Sequence, residues 1–208
     1  MTMVNQHKKL SNLHYLVDKG QIEKAKKKAL KLGYETKSID RGIAHFQNGD
    51  HNVLSVKGTN PTNFQDLLSD IKIGIGLTSK DKQFKDRKKK VKKILKTIPD
   101  TESVNMTSHS LGGSIATSMM SHSKSIRDKV DKLDTFNTGY TKQFHKEIKQ
   151  NLDKKDRQVL NSKITHHVVS GDVISEPLRS GAVGKVKTYK ADKDASLFQK
   201  HSLTGNFD

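Results

Sequence analysis

Three residues, widely separated in the chain, have the types and the order that acyl transfer needs: Ser110, Asp172 and His201. Ser110 lies in Ser108-His109-Ser110-Leu111-Gly112-Gly113, between a strand pattern and a helix pattern. A serine attacks a carbonyl well when a tight turn lifts its hydroxyl out of the sheet, and small residues two before and two after let strand and helix close around it. Gly112 meets that requirement, and Ser108 stands where Gly is usual, small for small. The serine needs a base and the base an orienting acid, and on a strand-turn-helix scaffold they follow in the order serine, acid, histidine. Asp172 comes directly after a strand pattern, in Ser170-Gly171-Asp172-Val173-Ile174, at the carboxyl edge where parallel sheets place catalytic groups. Only one histidine follows it, His201. Taken singly, each has a plain structural reading: a Gly-rich strand-to-helix connection, a turn aspartate, a solvated terminal histidine. The joint ordering favours the chemical one.

Negative charge developing on a substrate oxygen needs at least two aimed donors. The backbone N–H of Leu111, directly after the serine, is one. The other is expected from a loop after an earlier strand, and Gly58-Thr59 stands at that place. Thr59 offers an N–H and a hydroxyl, and Gly58 lets the backbone approach; a simple strand-end turn is the alternative. Of the other histidines, His109 precedes the serine and points away from it as a packing residue, while His166 and His167 lie in a strand ahead of the acid. No histidine pair has metal-binding spacing with supporting carboxylates, such as His-Glu-x-x-His, so no metal is expected, and acyl-enzyme hydrolysis by side chains requires no cofactor.

The elements that must position these groups can be read from periodicity. Helical patterns cover roughly 6–18 and 21–32, the second with Ile22, Ala25, Ala29 and Leu30 at helical spacing among lysines and Gly33 as its stop. Strand signals follow at 42–46 and 52–56, separated by Asn48-Gly49-Asp50, which reads as a hairpin. The most basic helix spans 81–98, with Phe84, Val91, Ile94, Leu95 and Ile98 on one stripe and Pro99 closing it. A strand at 103–107 leads through the Ser110 turn into a helix at about 114–126. A strand at 132–136, a helix at about 142–151 and strands at 164–169 and 184–189 complete the chain. Strands alternating with helices predict an α/β fold, a mainly parallel sheet flanked by helices. We divide it into a basic helical N-terminal extension, 1–33, and an α/β domain, 34–208.

The 208 residues suit one domain with an appendage, yet only 32 % are hydrophobic and 5 % aromatic, below the roughly 45–50 % apolar content of ordinary globular chains. Disorder would follow from composition alone. The formal charge is +17, but only five of the 39 basic residues are Arg, so the chain presents a diffuse lysine field and few bidentate forks. With no Cys there is no disulfide, thiolate site or cysteine nucleophile. Residues 1–9 lack the apolar stretch of a secretory signal and no window approaches the ~20 apolar residues of a membrane span, so a soluble intracellular protein is expected.

Together the motifs resemble the ordered blocks of class 3 lipases: Val56-Lys57-Gly58-Thr59, Asp66-Leu67-Leu68-Ser69-Asp70, Ser108 to Gly113, Thr135-Phe136-Asn137-Thr138-Gly139, Gly171-Asp172-Val173-Ile174 and His201-Ser202-Leu203. The resemblance runs from about residue 40 to 205. It implies an α/β-hydrolase fold and carboxylic ester hydrolysis, with Ser110, Asp172 and His201 as triad, Thr59 and Leu111 as oxyanion hole, and Asp70 holding the Thr59 hydroxyl. Lys57 stands where that family carries Arg, Ser108 replaces a Gly, and the stretch from Thr59 to Asp66 is too short for the long helical lid of secreted lipases. Without a lid, a small or partly solvated substrate fits, and the scarcity of aromatics argues against a large acyl groove.

Two other classes stay open, the second of them suggested by charge alone. One is a catalytically silent lipase-fold scaffold on a particle or membrane. The other is a nucleic-acid-binding protein, for which the lysine runs lack the interleaved aromatics that stack bases, leaving non-specific binding at most. The lysines of helix 81–98 read as solvated surface, or as a face that adsorbs reversibly to anionic headgroups near an ester or lipid substrate. Oligomeric state is not legible.

Overall fold

The computed structural model describes residues 2–58, 82–139, 142–150, 152–176 and 182–202. Among these, seven strands form one sheet in sequence order: β1 (Glu35–Ile39), β2 (Ile43–Asn48), β3 (His51–Val56), β4 (Ser103–His109), β5 (Lys132–Phe136), β6 (Ile164–Val169) and β7 (Lys185–Tyr189). The first three are antiparallel neighbours and β3 to β7 run parallel. The β2–β3 hairpin turns through Gly49 and Asp50, with Asn48 opposite His51 and Gly49 at φ 58°, a conformation that costs glycine little.

Each parallel crossover steps to the next strand in one direction, and right-handed connections therefore bring their helices to one face of the sheet. These are α3 (Lys82–Leu95), α4 (Leu111–Ser121), α5 (Lys124–Lys129), α6 (Lys142–Gln150) and α7 (Lys154–Lys163). Their apolar sides close over Leu54, Val56, Val104, Met106, Leu133, Ile164 and Val168, with Phe84, Val91, Leu95 and Ile98 of the predicted basic-helix stripe buried there. Among the described residues the opposite face is covered by α1 (Met3–Asp18) and α2 (Ile22–Lys31). α1, capped by the Thr2 hydroxyl accepting from Asn5 N–H, lies across β3, β4 and β5 and buries Leu10 and Leu13 among Ala44, Phe46 and Val53. Segment 1–33 thus supplies a layer of the core. A short α8 (Leu197–His201) follows β7.

The architecture is α/β-hydrolase-like: a mostly parallel sheet flanked by helices, with a turn between β4 and α4 that carries Ser110. Some boundaries differ from the sequence reading. The helix expected at 114–126 begins at Leu111 and breaks at His122-Ser123 into α4 and α5, because the first turn must start directly after Ser110 to form the elbow. β1, a mostly exposed edge strand, carries no apolar alternation to read. α7 has a single buried residue, Leu160, so it shows no stripe; its visible signal was Asp153, whose carboxylate accepts from Asp156 N–H at 2.6 Å.

Candidate active site

β4 delivers Ser110 to the carboxyl edge of the sheet, and α4 starts at the next residue. Between them Ser110 adopts φ 54°, ψ −132°, a region that costs a non-glycine residue about 1–3 kcal/mol. Two bonds hold it there: its N–H donates to the Phe136 carbonyl (3.0 Å), and its own carbonyl accepts from Gly113 N–H (2.9 Å). The strain sits on the serine and not on Ser108, which keeps ordinary strand geometry and is fully buried. Gly112 is required for a different reason: a Cβ there would lie 2.4 Å from the Val56 carbonyl oxygen. Its smallness brings the end of β3 against the first turn of α4.

The turn brings the three sequence-predicted groups into one line. His201 Nε2 is 2.9 Å from Ser110 Oγ, and His201 Nδ1 is 3.0 and 3.1 Å from the two Asp172 carboxylate oxygens. A carboxylate only accepts, so Nδ1 carries the ring proton and Nε2 turns a lone pair to the serine hydroxyl. All three are buried. Asp172 is held in turn by Ser175 Oγ–H (2.5 Å) and Ile174 N–H (3.2 Å), two partners that the sequence reading did not single out.

Leu111, the first residue of α4, has no acceptor one turn back within the helix, so its N–H lies at the positive end of the helix dipole. Gly58 abuts it: a Cβ on Gly58 would sit 3.3 Å from Leu111 N and 2.5 Å from the His109 carbonyl oxygen. Gly58 therefore packs directly against the elbow. Thr59 and Asp70, and the short stretch between Thr59 and Asp66, lie outside the described residues. Lys57 is buried and ion-paired with Asp18 of α1.

His109 is more than a packing residue. Its ring bonds Tyr15 Oη (2.8 Å) and the main-chain carbonyl of His201 (2.8 Å), and burial, followed by the nearby His201 charge, pushes it down to about 3. Asn137, at φ 44° after β5, donates Nδ2–H to the carbonyls of Lys200 and His201 (2.9 and 3.0 Å) and accepts Val169 N–H at Oδ1 (2.9 Å). Sequence alone assigns His109 only a packing role and Asn137 none of its own; the visible hint is an Asn at a strand end, where left-handed backbone favours it. His166 and His167 are buried in β6, away from the triad: His166 bridges Thr135 and the Val183 carbonyl, and His167 bridges Asp134 and Tyr189. Among the described residues no group of three or more His, Cys, Asp or Glu side chains is placed to hold a metal ion.

Fold and site together define an α/β-hydrolase-like protein with a serine, a histidine and an aspartate in hydrogen-bonded line. No protein-family model matches the chain, and no curated protein matches it. Among solved structures it is similar to a lipase from Rhizopus microsporus var. chinensis, at 15 % identity and a TM-score of 0.42, over 72 % of this chain. The chain spans 57 % of that lipase's length. No helix of the described residues is long and apolar enough to cross a membrane.

Proposed function

We propose that the chain is a serine carboxylic ester hydrolase of the lipase and esterase type, related to class 3 lipases. The observation that carries this reading is His201 bonded at once to the Ser110 hydroxyl and the Asp172 carboxylate, with the serine held on a strained elbow. In this mechanism His201 Nε2 takes the Ser110 proton as Oγ attacks the ester carbonyl. Asp172 keeps the imidazole in the working tautomer and stabilises the imidazolium. The tetrahedral oxyanion is bound by Leu111 N–H and by Thr59, whose hydroxyl Asp70 orients. His201 then protonates the leaving alkoxide, and water, activated by the same base, releases the acid from the acyl-enzyme. Residue chemistry suffices for every step, so the reading invokes no cofactor.

The substrate is an acyl ester met at an anionic lipid surface. Lys85, Lys89, Lys92, Lys93 and Lys96 are exposed along and just beyond α3 while its apolar stripe is spent on the core, which supports reversible adsorption without insertion. Each basic residue near such a surface adds about 1 kcal/mol. Sedimentation with phosphatidylserine vesicles should fall steeply as salt rises; binding indifferent to salt would sink the adsorption. The catalytic reading is tested with p-nitrophenyl butyrate: Ser110→Ala should lower kcat by about 10⁶-fold, and a rate equal to the parent's would end it.

A further inference from the structure

We propose that the N-terminal helix positions the catalytic base: Tyr15 of α1, acting through His109, and Asn137 together clamp the main-chain carbonyl of His201. The catalytic consequence rests on the hydrolase reading above; the clamp itself is a statement about structure.

His201 ends a helix of only five residues, α8. Its side chain is committed to Ser110 and Asp172. What holds its backbone is a pair of donors on one oxygen, His109 Nε2–H at 2.8 Å and Asn137 Nδ2–H at 3.0 Å, which use both carbonyl lone pairs. Because the carbonyl can only accept, His109 must carry its proton on Nε2. Its Nδ1 is then a lone pair, and the Tyr15 hydroxyl, 2.8 Å away, donates to it. The tautomer of His109 is thus set from α1, and without the Tyr15 proton the ring would have reason to turn. Asn137 is anchored separately, through Oδ1 to Val169 N–H of β6. The base therefore hangs from β4, β5 and α1 at once.

The neutral state of His109 also suits the chemistry. Its ring centroid is 5.1 Å from that of His201, which becomes a cation when Ser110 is deprotonated. A second positive imidazole there would oppose that step, and burial of His109 keeps it uncharged. A gap of an ångström between base and nucleophile is enough to cost about a hundredfold in rate, so a carbonyl clamp is a sensitive point of control.

The test compares the parent with Tyr15→Phe, His109→Leu and His109→Gln, whose amide can still donate to the His201 carbonyl. With p-nitrophenyl butyrate, kcat and the rate of fluorophosphonate labelling should fall by about tenfold in Tyr15→Phe and about a hundredfold in His109→Leu, with KM nearly unchanged and His109→Gln recovering most of the loss. In proton spectra, the downfield Nδ1–H resonance of His201 should weaken in the same order. Unchanged labelling and an unchanged resonance in Tyr15→Phe and His109→Leu overturn the clamp. Should His109→Leu not fold, Tyr15→Phe, which removes a single oxygen, decides alone. If the parent is never labelled, the hydrolase reading fails and the resonance decides the clamp: weakened in Tyr15→Phe it stands, retained it falls.

Discussion

Two buried imidazole–carboxylate sites sit on this sheet, and they look alike until the far ring nitrogen is considered. In one, His201 Nδ1 meets Asp172 at 3.0 Å; in the other, Asp134 receives His7 Nδ1 at 2.7 Å and His167 Nε2 at 2.9 Å. Asp134 lies within β5 on the face covered by α1, so both of its oxygens are used to pin a helix and a neighbouring strand. Burial opposes its ionisation, but the hydrogen bonds from His167 and His7 and their positive charge prevail, holding the carboxyl well below the usual range. Beyond His167 stands the Tyr189 hydroxyl at 2.7 Å, and His7 Nε2 has no partner among the described residues. Beyond His201 stands Ser110, on a strained turn at the carboxyl edge of the sheet. The pairing alone is a joint; what sets the His201 pair apart is a serine hydroxyl on a strained turn at the sheet edge.

The contrast can be broken by swapping which quantity each aspartate controls. Asp172→Asn should lower kcat by about 10⁴-fold, because the amide favours the wrong tautomer, and should leave urea stability within about 1 kcal/mol. Asp134→Ala should do the reverse: it strands two buried histidines and costs about 3–5 kcal/mol in urea titration, while kcat of the folded fraction stays at the parent's value. If Asp134→Ala instead abolished turnover at full stability, the division of roles would be wrong.

Acid should expose the same division. Burial, the largest cause for each, holds His14 and His166 down to about 4 and His109 to about 3, against 6.5 for a free imidazole. The unfolded chain therefore binds protons that the folded chain refuses, and stability falls as pH drops from 6.5 towards 4, on the order of 3 kcal/mol per imidazole. Asp134, depressed in the folded state, adds stability above its unfolded value that is lost only at still lower pH. Melting followed by circular dichroism from pH 8 to 4 should show the loss beginning near pH 6.5; a flat curve down to pH 5 would contradict the buried neutral histidines. The smallest effect belongs to Tyr189→Phe, which removes the hydroxyl's hydrogen bond to His167: about 1 kcal/mol in stability and no change in kcat.

Much of the site was legible before any coordinates. The elbow needed only neighbours: a strand pattern, small residues two before and two after Ser110, and a helix after it. Asp172 and His201 followed from chain order. The stripe Phe84, Val91, Leu95 and Ile98 announced its own burial, whereas β1 and α7, with almost no apolar face, offered no stripe to read.

What the sequence determined by itself is therefore the local part: which residue types stand at turns and strand ends, and in what order. The tertiary structure decided the rest. Ser110 and His201 are 91 residues apart, Tyr15 and His109 are 94 apart, and His7 and Asp134 are 127 apart. No periodicity encodes such meetings. They exist because the helix laid across the face opposite the crossover helices carries Tyr15 and His7 to the strands that need them.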